Sequence, residues 1–463
     1  MLNKKIAEFL DEVCIYINCK AVHKDIREEL SAHISELKKE NLENGYSQEE
    51  ALDFAITAMG NTEEIGIRLN NQHKPQVEWS ILLLTAAIAI IGAVVMYTSS
   101  KFTNGEAIDF SKYIVFAGIG IGTMVTFYYF DCAKLKNFPG PLYFSGILLL
   151  VTTLLIGTNV YGVKRWIPIG PFFITSSDVA SLLFLIAFAG FLEKYRGKGA
   201  GSIIKILFLC MLSLFSIMLL PSLATAFILF IVYAAGIITA VIRNHFGGNK
   251  KMQYISLFAG GGVASIGLLY RVIANPYLLA RLNLFAEESQ GYQQNIASNW
   301  LALSNWFGKM SDSAESVNMV MPNISGEYVL INVIATFGWA VGISLVALIA
   351  AFIIRSFLTV SKIKNTYGFY LSLSACMILS AQFLLSILMN FNLFPFTAIN
   401  MPFVSYAGTG YVVNMAFVGI LLSAWRRNNL VSCSEQRLSL GSNREFISVS
   451  NGKLIIDLKA WRQ

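Results

Sequence analysis

The chain has 463 residues, of which 55% are hydrophobic and only 14% are charged. A soluble globular protein carries about 25% charged residues, so this composition excludes a wholly soluble protein. Residues 1–75 carry nine Lys or Arg and fourteen Asp or Glu, a net charge of −5, whereas the remaining residues carry 26 basic and 14 acidic side chains, a net charge of +12. An acidic head, residues 1–75, therefore precedes a basic membrane body, residues 76–427, and a tail, residues 428–463.

The head is predicted to be a small domain of short amphipathic helices. Apolar side chains recur there at helical spacing beside charged residues, as at Leu30, Ile34 and Leu37. Ser47 and Glu50 have the spacing of a capping box at the start of a helix, and Gly60 is typical of the end of that helix. The acidity of the head argues against nucleic acid as a partner.

Ten apolar segments occupy residues 79–425, separated by polar gaps. A helix of about 20 residues crosses the hydrocarbon core of a bilayer, and backbone groups in lipid must bond within their own segment. We therefore predict an all-α polytopic membrane protein with ten transmembrane helices. The predicted spans are residues 79–99, 111–130, 141–158, 174–193, 203–219, 221–242, 253–273, 327–354, 366–389 and 401–425.

Basic residues recur in alternate gaps between the spans, as at Lys134, Lys194, Arg243, Arg355 and Arg426. Basic short loops stay in the cytoplasm, so the head and the tail are both predicted to be cytoplasmic. The tail becomes apolar around Leu454, where a short strand or an interfacial segment is expected. The outer side has a loop at 159–173 and a long loop at 274–326, and a loop as long as the second usually binds or catalyses something.

Three stretches of the body carry motifs beyond ordinary membrane helices. They are VKRWIPIGPF at 163–172 with SSD at 176–178; NPY at 275–277, RL at 281–282, GYQ at 291–293, FGK at 307–309 and MP at 321–322; and NLFPFT at 392–397 with PFVSY at 402–406. Their order and spacing resemble the SEDS family, the FtsW/RodA/SpoVE proteins of bacterial division, elongation and sporulation. The resemblance covers about residues 78–426, essentially the whole body.

This resemblance implies a protein of the bacterial cytoplasmic membrane that polymerises lipid II at the outer face, paired with a class B penicillin-binding protein. The catalytic aspartate of the family stands just before the eighth span, and Glu327 occupies that position here. Glu327 is thus the expected catalytic base, in the first turn of a helix that Ser325 caps, where amide dipoles would keep it ionised. The alternative is that Glu327 only caps the helix. No cofactor is firmly implied, and a divalent cation stays open.

Glycosyl transfer from a lipid diphosphate also needs positive charge near the departing group. The expected substrate-binding residues are Arg165, Trp166, Asp178, Arg271, Arg281, Lys309 and Ser405. Arg165 and Trp166 fit a headgroup anchor, and the alternative is an ordinary aromatic and basic belt at the membrane surface. Arg271 should pair inwards, for instance with Asp178, or face a wet cavity, because an isolated charge near the end of a span is costly. For Asp178 itself, a purely structural ion pair is the alternative.

The chain departs from the family pattern at several polar positions. Glutamate replaces aspartate at Glu327, Ala335 and Thr336 stand where the family has paired glutamates, and Ser222 stands where the sixth-span motif of the family has an aspartate. These changes keep two further readings open. One is a non-catalytic relative that binds lipid II or a penicillin-binding protein as a scaffold. The other is a transporter of the lipid-linked precursor.

The head has a resemblance of its own. DIREEL at 25–30, GYSQEEAL at 45–52 and MGN at 59–61 resemble the HAAS-type prefix domain found before bacterial membrane proteins. The resemblance implies a regulatory input from a cytosolic partner. The alternative is that the head only assists membrane insertion or stability.

Overall fold

The computed structural model describes residues 2–18, 23–72, 76–102, 109–160, 163–170, 172–220, 222–276, 279–280, 283, 291–310, 323–395, 398–428, 447–450 and 453–456. The chain divides into two compact units, and each is described by itself. One unit contains Met1–Val77 together with Trp425–Gln463, and the other is Glu78–Ala424.

The head is helical, as predicted. Its helices are α1 (Leu2–Ile15), α2 (His23–Glu43), α3 (Gln48–Met59) and α4 (Thr62–Gln72). The apolar positions at helical spacing form its buried core, which contains Phe9, Leu10, Val13, Ile17, Ile26, Leu30, Ile34, Leu52 and Ala55. The capping box is confirmed, because Ser47 Oγ accepts from the Glu50 amide at 3.3 Å and Glu50 Oε2 accepts from the Ser47 amide at 3.1 Å. Gly60 ends α3 with φ of +94°, a backbone conformation that favours glycine.

The membrane body consists of long helices at nearly the predicted positions. They are α5 (Trp79–Phe102), α6 (Phe110–Tyr129), α7 (Pro139–Ile156), α8 (Ser176–Lys194), α9 (Gly201–Leu219), α10 (Leu223–Ile242) and α11 (Lys250–Ile273), then α12 (Tyr292–Leu303), α13 (Val329–Phe337), α14 (Trp339–Ser361), α15 (Thr366–Asn390) and α16 (Thr409–Arg426). In the described part of the chain, nine of these are long and apolar enough to cross a membrane. The tenth predicted span corresponds to α16, which is 18 residues long and contains the buried amide of Asn414.

Two predicted spans have different boundaries in the structure. The predicted span 401–425 begins only at Thr409, because Phe403 with φ of +64° and Gly408 with φ of +50° hold the preceding residues in a loop. The predicted span 327–354 is wrong as a single helix. Gly338 breaks it with φ of +95°, so that the buried helix α13 is followed by α14 as the spanning segment.

Backbone groups at this break are bonded to the irregular segment 305–310, which we call the strap. The amides of Trp339 and Ala340 donate to the carbonyls of Asn305 and Trp306 at 3.0 and 3.1 Å. In the other direction, the amides of Gly308 and Met310 donate to the end of α13 at 3.1 and 2.7 Å. A helix break inside a membrane protein leaves unpaired amides and carbonyls, and the strap satisfies four of them.

A small antiparallel sheet occupies the loop predicted at 159–173. Its strands are β1 (Thr158–Val160), β2 (Val163–Ile169) and β3 (Phe172–Thr175), in the order β1-β2-β3. Trp166 on β2 pairs with Thr175 on β3, immediately before α8 begins. This sheet was not predicted, because its strands are too short to show a clear period of two. The short strand expected in the tail is confirmed as β5 (Lys453–Ile456), paired with β4 (Ile447–Ser450).

An ion pair ties the start of the body to α14. Arg355, which was predicted to lie in a polar gap, lies inside α14 because that helix continues to Ser361. Its Nη2 atom is 2.5 Å from Oε1 of Glu78 and 2.7 Å from Oγ of Ser80. The Glu78 side chain is 11% exposed and that of Arg355 is 43% exposed, so the pair is partly withdrawn from solvent. The Glu78 carboxylate offsets the positive charge of Arg355, which would be costly without a partner inside a spanning helix.

Candidate functional site

Four segments come together at one end of the body, which we call the loop end. They are the sheet β1–β3, the stretch from α12 to the strap, the loop at 323–328 before α13, and residues 391–395 and 398–408 between α15 and α16. The amide of Thr175 donates to Oγ1 of Thr409 at 3.2 Å, which joins the sheet to the start of α16. Asn392 Nδ2 donates to the carbonyl of Gln294 at 3.1 Å and to Oγ of Ser298 at 2.9 Å, which joins α12 to the end of α15.

The candidate catalytic carboxylate lies in the tight loop before α13. Asn323 begins this loop with φ of +55°, and its side-chain Nδ2 donates to Oε2 of Glu327 at 3.1 Å. The Gly326 amide donates to the Asn323 carbonyl at 3.0 Å, closing the turn. Glu327 is partly exposed, so its carboxylate is oriented by a neighbouring amide while it stays accessible. That combination suits a group that must receive a proton.

The expected capping arrangement at Glu327 is wrong. Helix α13 begins at Val329 with Tyr328 as its N-cap residue, so Glu327 precedes the helix instead of lying in its first turn. Ser325 does not cap the helix, because its buried Oγ has no hydrogen-bond partner among the described residues. The turn around Asn323 delays the start of the helix, so the carboxylate depends on tertiary contacts for its position.

Those tertiary contacts hold three consecutive carbonyl groups. The amide of Tyr406 donates to the carbonyl of Ser325 at 2.8 Å, and Ser405 Oγ donates to the carbonyl of Gly326 at 2.6 Å. Asn390, the last residue of α15, donates from Nδ2 to the carbonyl of Glu327 at 2.9 Å. The backbone around the carboxylate is therefore fixed by α15 and by the segment that contains the PFVSY motif.

Ser405 does not fit the predicted role in substrate binding. Its side chain is fully buried, its hydroxyl proton is directed at Gly326, and its oxygen accepts from the Met401 amide at 2.9 Å. A hydroxyl has one proton to donate, and here that proton is already committed. The structure thus gives Ser405 a role in positioning the 323–328 loop.

Arg165, Trp166 and Asp178 are brought together at the sheet. Arg165 and Trp166 are half-buried neighbours on β2, with the Arg165 guanidinium carbon 4.9 Å from the centre of the Trp166 ring. Asp178 lies in the first turn of α8, within electrostatic range of Arg165. A Cβ atom built on Gly410 would be 3.3 Å from Asp178 Oδ2, so the carboxylate lies directly against the start of α16. This arrangement places a planar cation beside an aromatic ring and an acid.

The two groups of residues are linked by one short stretch of chain. Ser405 contacts the Glu327 loop, and Gly410, five residues later, contacts Asp178. The segment 398–410 therefore connects the candidate base to the Arg165 group, although the two motifs are far apart in sequence.

The other predicted cations lie apart from this arrangement. Arg271 is exposed in the last turn of α11 and forms no ion pair with Asp178, both residues being described; the pairing suggested between these two residues is wrong. Arg271 tolerates this position because it lies near the end of the helix, where its long side chain reaches water. Lys309 is exposed on the strap, where its carbonyl accepts from Asn305 Nδ2 at 2.8 Å. Arg281 falls outside the described residues. In the described ranges no three His, Cys, Asp or Glu side chains are grouped so as to hold a metal ion.

Asn323 and Asn390 were not among the predicted site residues. Asn390 is visible in the sequence as an amide directly after a predicted apolar span, but many such residues are simply solvated. Only the fold shows that it faces the Glu327 loop.

Comparison with known proteins identifies the architecture. A family model described as a cell cycle protein and named for FtsW, RodA and SpoVE matches residues 77–430. The chain belongs to the FtsW/RodA/SpoVE family. The family match begins at residue 77 and so leaves the head outside it. With its many apolar helices, this FtsW/RodA/SpoVE protein is a multi-pass protein of the cytoplasmic membrane.

Several relatives of this family member have curated names. A probable peptidoglycan glycosyltransferase FtsW from Aliivibrio salmonicida is 23% identical over 360 residues, covering 75% of this chain and 87% of the relative. A protein of the same name from Pseudoalteromonas translucida is 27% identical over 291 residues, covering 60% of this chain and 70% of the relative.

Solved structures show the same fold at lower identity. A chain from a structure titled as a peptidoglycan synthase complex that coordinates polymerization and crosslinking superposes with a TM-score of 0.61 at 19% identity, covering 76% of this chain and 98% of that one. The rod shape determining protein RodA of Thermus thermophilus gives a TM-score of 0.52 at 17% identity, covering 76% of this chain and 97% of RodA. The predicted all-α polytopic fold is thereby confirmed.

Proposed function

We propose that this FtsW/RodA/SpoVE-family protein is a peptidoglycan glycosyltransferase that polymerises lipid II, with Glu327 as the general base. The observation that carries the proposal is the carboxylate of Glu327, partly exposed at the loop end on a loop whose three carbonyls are held by neighbouring elements. The names of the curated relatives support the same reaction class.

The proposed step is a displacement at the anomeric carbon of the donor sugar. The acceptor hydroxyl loses its proton to the Glu327 carboxylate while its oxygen forms the new bond to the anomeric carbon. The bond from that carbon to the diphosphate oxygen breaks, and the polyprenyl diphosphate leaves with the electron pair. Asn323 Nδ2, which donates to Oε2 at 3.1 Å, helps to orient the carboxylate that accepts this proton.

Arg165 is the proposed partner of the diphosphate. A guanidinium presents parallel N–H groups that match phosphate oxygens, and the Trp166 ring limits its orientation. Asp178, within electrostatic range of Arg165, would offset part of its charge when the lipid is absent. Arg271, Lys309 and Arg281 remain proposed contributors to the positive field at this end of the protein.

The partner is proposed to be a class B penicillin-binding protein, a transpeptidase. The support is the fold shared with a chain whose structure is titled as a peptidoglycan synthase complex. Polymerisation and crosslinking of glycan strands would then occur on the same side of the membrane.

The decisive experiment uses purified protein with lipid II and a candidate transpeptidase. We expect glycan polymer from the wild type and at least a 100-fold loss in Glu327→Gln, which keeps the size of the side chain but cannot accept the proton. Asp109→Asn is the matched control, because Asp109 is also a carboxylate at the loop end, where it caps α6. Polymer formed equally by Glu327→Gln would overturn the assignment of the base.

The same assay separates the alternatives. Lipid II binding without polymer, with every partner tried, would favour the scaffold and refute the enzyme. Lipid movement across the membrane of a sealed vesicle, without polymer, would favour a transporter and would also refute the enzyme.

We also propose that the head and the tail are cytoplasmic and that the loop end faces outwards. The cysteines at 14, 132, 210 and 376 are buried free thiols, which keeps their background labelling low. Tyr292, on α12, is 66% exposed, so Tyr292→Cys should react with an impermeant maleimide in intact cells. Ser35→Cys, on an exposed position of the head, should react only after lysis. The reverse pattern would contradict the orientation and the site built on it.

The head is proposed to be a HAAS-type regulatory domain that binds a cytosolic partner. It lies outside the matched family model, and its own capping box and core support a separately organised helical module. Deletion of residues 1–70 should change polymerisation in cells at constant membrane abundance. A change in abundance alone would instead assign the head to insertion or stability.

A further inference from the structure

We infer that Asn390 is a positioning residue that sets the place of the Glu327 carboxylate. The inference rests on the proposed function of Glu327 as base, and it concerns a residue that touches no substrate. Asn390 is 1% exposed and forms the C-terminal residue of α15.

Each polar atom of the Asn390 amide has a partner on a different element. Nδ2 donates to the carbonyl of Glu327 at 2.9 Å and to the carbonyl of Ser386 at 2.8 Å. Oδ1 accepts from the amide of Ile331 at 3.2 Å. A single side chain therefore joins α15, the Glu327 backbone and the first turn of α13.

These contacts matter because the helix itself does not hold Glu327. The residue precedes α13, and the N-cap residue of that helix, Tyr328, makes no side-chain capping bond. One of the orphan amides of the first turn, that of Ile331, is instead satisfied by Asn390. Removal of the Asn390 amide would release both the Glu327 carbonyl and this helix start, whereas Ser325 and Gly326 would keep their bonds to the 401–406 segment.

The consequence for catalysis is a change in the position of the Glu327 carboxylate. A displacement of about 1 Å at a reacting group can lower a rate by about 100-fold, even when substrate binding is unchanged. Loss of the Asn390 anchor should hence lower kcat and leave KM for the lipid substrate nearly the same.

The test compares Asn390→Ala with Asn392→Ala in the full-length protein. Asn392 lies two residues later and also makes two side-chain donations, but these go to Gln294 and Ser298 on α12, so it controls for a general loss of side-chain hydrogen bonds at this end of α15. We expect kcat for lipid II polymerisation to fall at least 10-fold in Asn390→Ala, with KM within 2-fold of the wild type. Asn392→Ala should stay within 3-fold in kcat. Equal losses in both variants would assign Asn390 a merely structural role.

A second readout does not depend on activity. Coupling of a small amine to Glu327 by a water-soluble carbodiimide, measured by mass spectrometry, reports how the carboxylate is held. Labelling should be at least 3-fold faster in Asn390→Ala than in the wild type and unchanged in Asn392→Ala. Unchanged labelling in Asn390→Ala would overturn the inference, whereas absence of polymer from the wild type would refute the proposed function only.

Asn390→Asp is the second test variant, for use if Asn390→Ala fails to fold. It keeps the shape of the side chain and the acceptor for Ile331, and as a carboxylate it loses the donor to the Glu327 carbonyl. Faster labelling at Glu327 is again the expected result, and wild-type labelling contradicts the anchor.

Discussion

Gly338→Ala tests whether the eighth predicted span must be broken and whether the strap must lie against the break. Gly338 has φ of +95° and ψ of 167°, a backbone conformation that residues other than glycine rarely adopt. A Cβ atom at this position would be 2.6 Å from the carbonyl oxygen of Trp306 and 2.8 Å from Cα of Phe307. These are backbone atoms, so no side-chain rotation can relieve the contact.

The expected cost has two parts. The backbone conformation costs a residue with a Cβ atom about 1–3 kcal/mol. If the strap moves away, the two nearest hydrogen bonds, from Trp339 and Ala340 to the strap carbonyls, are lost at about 0.5–1.5 kcal/mol each. We therefore expect Gly338→Ala to lower the free energy of unfolding by about 2–6 kcal/mol.

The assay is unfolding by SDS in mixed micelles, with two matched glycine controls. Gly308, on the strap, has φ of +80° with nothing within 4 Å of a built Cβ, so Gly308→Ala carries only the conformational cost of about 1–2 kcal/mol. Gly261 lies in α11 with open space around it, and Gly261→Ala should be neutral or slightly stabilising because alanine favours the helix.

The order of stability of the three variants shows whether the strap packs against the break. A strap packed against the break requires Gly338→Ala to be the least stable, Gly308→Ala intermediate and Gly261→Ala at least as stable as the wild type. A Gly338→Ala protein as stable as Gly308→Ala would show that the strap does not pack against the break.

Two further predictions concern the head and the ion pair. Hydrogen bonds with Ser47 lower the pKa of Glu50 below its ordinary value of 4.5, so the bond from the Ser47 amide to the Glu50 carboxylate stabilises α3 above that pH and is lost as the pH falls below it. Glu50→Ala should speed amide exchange in residues 48–52 at pH 7 and have much less effect at pH 3, where the wild-type carboxylate is protonated; an equal effect at both pH values would contradict the carboxylate half of the box. Glu78→Gln should lower the free energy of unfolding in SDS by about 1–3 kcal/mol because it leaves Arg355 without its carboxylate, and a smaller loss in an Arg355→Met background should confirm the pairing. Equal losses in both backgrounds would show that Glu78 and Arg355 do not interact.

The sequence alone determined the class of protein and most of its helices. Long apolar segments in lipid can satisfy their backbone only as helices, so the positions of α5 to α11 and α15 follow from composition to within about three residues. The capping box of the head was equally readable, because its two partners are three residues apart in the chain. The PFVSY motif and the position of Glu327 are short, local features of the chain, and they indicated the family by themselves.

Only the tertiary structure decided how the candidate site is held. The loop that carries Glu327 depends on hydrogen bonds from Asn390 and Ser405 that span 63 and 79 positions along the chain, and no local pattern predicts such contacts. The break at Gly338 was also hidden, because the residues on both sides are as apolar as an uninterrupted span, and the strap that satisfies their backbone lies in a separate loop. Helices in a membrane are set by local hydrogen bonding, whereas the site is set by hydrogen bonds between distant segments, and these exist only after the helices have packed.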